Sequence, residues 1–248
     1  MKSIMKLMVA FLFVYSHSII AQTNEDYVMF LSLYLDPAPG KAVELVKGVK
    51  VHNQKFHAEG ESKAYLWSIM SGPRSGQFVW VQGPVHYVTF DTDLTEEHNM
   101  DWEKNVASNC RKVHTIQMWR RSDTHSYNPD NEIVGDKVIA RVFKLKSHSG
   151  AQEAVMDVIL KIKEVCEAKN YNLARRVYTQ EFRSETGENV SLIYPFESFT
   201  ELETRRGLPP SFLEDYEAVH GQGSTAAFQE ILDSNTNGWY DEVRIPVK

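Results

Sequence analysis

Imidazoles and indoles crowd the first half of this chain. Of the eight histidines beyond residue 21, His52, His57, His86, His98, His114 and His125 precede residue 131, and only His148 and His220 follow it. Four of the five tryptophans, Trp67, Trp80, Trp102 and Trp119, lie in the same half. Flat rings with a few polar tips are what a pocket for a small, flat organic molecule uses. His52 and Phe56 fall on a helical pattern, Tyr65 and Trp67 on the strand-like run after it, and Trp80 and His86 on or just past the next strand. These six are the candidate ligand-binding residues. His52 and His86 are also the candidate catalytic bases, with Trp67 as an orienting wall. The competing reading is that large aromatics fill the wide interface of a layered protein.

Histidine spacing argues against a metal. His52 and His57 stand about 140° apart on a helix, and no histidine pair has the i,i+4 spacing of a helical zinc site. No metal site is therefore expected. Asp101, beside His98, reads as an acid complementing a helix start. A haem iron needs one axial ligand, which His52 or His86 would supply. Nucleophile-elbow, P-loop and dinucleotide-binding motifs are absent from the sequence. Cys110 and Cys166 fall in helical patterns and read as packed thiols, with pairing open in an oxidising compartment. Arg176 is a candidate carboxylate partner, whereas Arg175, Arg183 and Arg205-Arg206 read as solvated charge.

The elements that position these residues follow a leader. The chain has 248 residues and a formal charge of −6. Lys2 and Lys6 precede the apolar run 7–15, and Ala21 precedes a polar stretch, the pattern of a signal peptide spanning residues 1–21. The apolar run is shorter than the ~20 residues that span a bilayer, so cleavage is expected rather than stable membrane insertion. The product would be exported, to a periplasm or extracellular space. Its net charge would then be −8, which disfavours nucleic acid as a partner.

The chain also repeats itself at an offset of 110 residues. Tyr27–Leu35 aligns with Lys137–Leu145 as a strand, Gly40 with Gly150 ahead of a helical pattern, and 64–70 with 174–180 as a second strand. Phe78–Val81 aligns with Val190–Ile193 as a third. A second helical region and a tail strand complete each copy, giving two β-α-β-β-α-β units over residues 22–130 and 131–248. The first strand is apolar on both faces, so both faces must be covered. The predicted fold is α+β: two tandem ferredoxin-like repeats packed sheet to sheet as an intramolecular α+β barrel, helices outside.

This element order, together with the passage Tyr194–Glu203, resembles the dimeric α+β barrel (ferredoxin-like) superfamily, here as a tandem fusion. That resemblance implies a barrel partner supplied within one chain, hence a monomer. The superfamily includes cofactor-free monooxygenases, haem-binding and haem-degrading enzymes and lyases, so it constrains fold better than function. The leading expectation is an exported protein that binds a small flat, largely apolar ligand in the first repeat. The alternatives are a cofactor-independent oxygenase or isomerase, and a structural or protein-interaction module.

Overall fold

The computed structural model describes residues 27–130, 136–204 and 208–248. The leader expected over 1–21, the boundary expected at 130/131 and the Arg205-Arg206 pair touch or lie outside these residues. The described strands are β1 (Met29–Pro37), β2 (Ala64–Ser71), β3 (Phe78–Val85), β4 (Cys110–Val113), β5 (Gln117–Arg121), β6 (Lys137–Leu145), β7 (Arg176–Gln180), β8 (Glu188–Phe196) and β9 (Thr236–Pro246). The described helices are α1 (Ala42–Phe56), α2 (Glu96–Asn105), α3 (Ala151–Ala168), α4 (Glu201–Thr204), α5 (Phe212–His220) and α6 (Ser224–Asn235).

Hydrogen bonding runs β3-β2-β9-β6-β8-β7-β5-β1, and β1 also pairs with β3, which closes the ring. The molecule is therefore one closed, eight-stranded antiparallel barrel, with β4 as a short addition beside β1. This corrects the expected pair of tandem ferredoxin-like repeats meeting sheet to sheet. Two seams make the difference: Trp67 lies opposite Pro246 where β2 meets β9, and Trp119 opposite Gln180 where β5 meets β7. Separate sheets would leave four rows of edge N–H and C=O groups unpaired, whereas closure gives every ring strand a partner on both sides.

Alternation along each strand sorts residues between the lumen and the outer layer. On β1, Phe30, Ser32 and Tyr34 line the lumen, while Leu33 and Leu35 join an outer core with Leu45 and Val49 of α1, Leu66, Trp80 and Val106. A second outer core joins Val155, Val158, Ile159 and Ile162 of α3 to Val177, Val190 and Leu192, with Phe212 and Tyr216 of α5. Both faces of the first strand are thus covered, one by helices and one by the opposite barrel wall. No described helix is long and apolar enough to cross a membrane.

The second helix is capped by Thr95, whose side chain accepts from the His98 N–H. Local details differ from the sequence expectation in two places. Cys110 begins β4 and packs in the first outer core, Cys166 is buried in the second, and both are free thiols. Burial pushes the Cys110 thiol up to about 11. Arg175 is fully buried, with its Nη2 donating to Ile159 O at 2.6 Å, so it is not a solvated charge.

Candidate functional site

The barrel encloses a cavity of about 280 Å³ whose walls come from all eight ring strands. One part of the wall is aromatic: Phe30, Trp67, Trp119 and Tyr178, with Tyr65 nearer solvent. Phe30 and Tyr178 meet edge to face at 6.0 Å. Trp119 Nε1 donates to Ser32 Oγ at 3.1 Å, which sets that indole's orientation. Arg176 also reaches the lumen, with its Nε donating to Pro129 O at 2.7 Å.

The other part of the wall is an ion network. Arg74, from the β2–β3 turn, donates to Glu188 Oε2 at 2.6 Å and to Glu242 Oε1 at 3.1 Å. Glu242 is fully buried and also accepts from Arg244 at 2.8 Å. Tyr34 accepts from Arg244 at 2.8 Å, and Tyr240 accepts from Arg74. The network holds two cations and two anions, so their charges cancel. Burial pushes the pKa of Tyr34 and Tyr240 up, keeping both phenols protonated. Each phenol oxygen already accepts from a guanidinium, so its own O–H can donate to a carbonyl or phenolate in the cavity.

The six sequence-selected residues separate into three places. Tyr65 and Trp67 line the lumen. His52 and Phe56 of α1 and Trp80 of β3 lie outside the barrel wall, packed against His98 and Trp102 of α2. His86 pairs with Glu61 at 2.9 Å and packs against Tyr27. His52 and His86 therefore do not share a site. The lumen also draws on Tyr178, Ser191, Ile193, Tyr240 and Arg244, so it is not a property of the first half alone. Period-two alternation of Tyr240, Glu242 and Arg244 was a legible signal for β9. Nothing in one strand, however, indicates that Arg74 from a distant turn completes the network.

The aromatic group outside the wall contains a histidine triad. His57 is the C-cap of α1, with φ −134° and ψ 33°, so its side chain leaves the helical register. The 140° separation expected for helical residues does not apply: the His52 and His57 rings stand 5.1 Å apart. His98 of α2 lies 4.7 Å from His52 and 5.2 Å from His57. Phe56 and Trp102 each lie 5.1 Å from His52 as well. Rings packed so closely leave no room for a haem macrocycle at His52.

No protein-family model matches the chain, and no curated protein matches it in sequence. Solved structures do match in fold. An anthrone oxidase-like protein shares 15% identity over 90% of this chain and 92% of its own, with a TM-score of 0.55. A candidate monooxygenase from Fusobacterium nucleatum subsp. nucleatum shares 10%, covering 90% and 94%, at 0.51. Another from Lactobacillus acidophilus NCFM shares 10%, covering 89% and 94%, at 0.50. These structures share the barrel fold of this chain. At these identities the likeness concerns fold alone.

Proposed function

We propose that the lumen binds a small, flat, mostly aromatic molecule that carries a carbonyl or phenolic edge. The observation that carries this reading is the polarity of the cavity: indole, phenyl and phenol rings on one side, Tyr34 and Tyr240 held by arginines on the other. A volume of about 280 Å³ falls near the lower end of ligand sites, about 300–1,000 Å³, and suits two or three fused rings. Burying such a ring system among aromatics favours binding at roughly 25 cal/mol per Å² of apolar surface removed from water. A hydrogen-bonding edge fixes its orientation.

A second reading adds oxygenation. The fold likeness to an anthrone oxidase-like protein supports it, and the two phenol donors would stabilise the enolate or phenolate form of a tricyclic ketone. On this reading no cofactor is required, because the electron-rich substrate anion itself reacts with dioxygen. The leader-like segment supports export of the protein, which N-terminal sequencing of the secreted product would check.

Titration of intrinsic tryptophan fluorescence with anthrone and with a hydroxylated anthraquinone tests the binding reading. Saturable quenching that disappears in Trp67→Ala is expected. Flat titrations with both probes would remove the proposal. Oxygen consumption with anthrone separates the two readings: uptake that falls in Tyr34→Phe supports oxygenation, and none leaves a binding protein.

A further inference from the structure

We propose that His52, His57 and His98 form a binding site for one borderline divalent transition-metal ion, of the Zn²⁺ or Ni²⁺ type, outside the barrel. The site is independent of the lumen. Candidate ligand atoms of the three side chains lie within 4.8 Å of one another. His57 Nε2 and His98 Nε2 are 3.1 Å apart. Two imidazole nitrogens bound tetrahedrally to zinc at about 2.0–2.1 Å stand about 3.3 Å apart, so the pair is nearly at ligand spacing.

Hydrogen bonds on the far sides of the rings set which nitrogen is free. His52 Nδ1 donates to Asp101 Oδ1 at 2.8 Å, and His57 Nδ1 donates to Ser62 O at 2.7 Å. A carboxylate and a carbonyl can only accept, so both protons sit on Nδ1 and both Nε2 atoms keep a lone pair, that of His57 accepting from the Nε2–H of His98. His52 Nε2 is buried and has no hydrogen-bond partner. An orphaned acceptor at a fully buried position is destabilising, and an ion would give it a partner. Carboxylate–histidine and carbonyl–histidine pairs are the outer contacts that metal-bound imidazoles use.

His98 Nε2 would enter the ligand set once that ring carries its proton on Nδ1 instead, a tautomer shift. The surroundings agree with this donor set. Three imidazoles select zinc, nickel or copper over magnesium or calcium, which prefer oxygen. Phe56, Trp80 and Trp102 form an apolar shell around the rings. His57 also borders a groove of about 360 Å³ between α1 and β2, a route for the ion and for a fourth, exchangeable ligand.

Calorimetric titration of chelator-stripped, intact protein with Zn²⁺ tests the proposal, with Ni²⁺ quenching of tryptophan fluorescence as a second readout. One ion per chain is expected, with affinity weakened at least about 100-fold in His98→Ala and about 10–100-fold in Asp101→Asn, which acts through His52. The exposed His148→Ala control should bind like the parent. Circular dichroism verifies each fold, and His98→Gln replaces His98→Ala should the latter not fold. Absence of saturable uptake by the parent overturns the site. So does unchanged affinity in the His98 variant, or an equal loss in the His148 control.

Discussion

Arg74 and Glu242 form a 3.1 Å ion pair inside the barrel across 168 residues of sequence. Glu242 simultaneously holds Arg244 at 2.8 Å and has no exposed surface. The pair ties the β2–β3 turn to the final strand and so helps seat the β2–β9 seam. Removing the acid leaves two enclosed guanidiniums short of countercharge, at a cost of about 3–5 kcal/mol. Glu242→Ala should therefore lower Tm by roughly 6–20 °C for a chain of this size. Calorimetric scanning checks this, with the exposed Glu185→Ala within about 0.5 kcal/mol of the parent as comparison.

Gly48 should resist alanine although alanine is the better helix former. A Cβ there would strike the backbone carbonyl of Asn105, where α1 crosses the end of α2. The helix gain of about 1 kcal/mol is outweighed by an overpacking cost of about 1–3 kcal/mol, because backbone cannot step aside. Urea unfolding of Gly48→Ala is expected to show net destabilisation. The same crossing brings His98 and Asp101 to His52, so Zn²⁺ uptake should weaken with it.

Stability should fall with acid before the carboxylates titrate. Burial lowers the folded-state value of His57 from 6.5 to about 4 and lowers that of His52 as well. Between these values the unfolded chain binds more protons, so stability is full above about pH 6.5 and declines toward pH 4. His57 alone would contribute on the order of 3 kcal/mol. Urea midpoints of metal-free protein at pH 7.0, 6.0 and 5.0 should decrease in order, with a shallower decrease in His57→Gln. Equal midpoints would contradict the assignment.

Arg175 should tolerate an apolar replacement. It is fully buried, and its Nε and Nη1 lack hydrogen-bond partners. Its one described side-chain hydrogen bond goes to a backbone carbonyl, not to an acid. Exchanging such a charge for a side chain of similar volume is often stabilising by about 1–4 kcal/mol. Arg175→Met is expected to raise Tm, as thermal scanning would show.

The sequence alone determined the longer strands and helices and which of their residues share a face, but not β4, whose Cys110 read as helical. β1 was readable because its apolar residues run unbroken on both faces, and α3 because Val155, Val158, Ile159 and Ile162 recur at helical spacing. These properties are local, set by periodicity within a dozen residues. Of the residues the sequence singled out, the structure places Tyr65 and Trp67 on the lumen and His52 among the rings outside the barrel wall.

Only the tertiary structure decided closure and convergence. Whether β2 ends beside β3 alone or also pairs with β9 depends on satisfying edge hydrogen bonds between segments over 160 residues apart, and no strand records that in its own pattern. The histidine triad likewise depends on one residue, His57, leaving the helical register at the C-cap, and on Gly48 letting two helices meet. Spacing measured along an assumed helix put His52 and His57 on different faces. The chain brings them together because the helix ends one residue sooner.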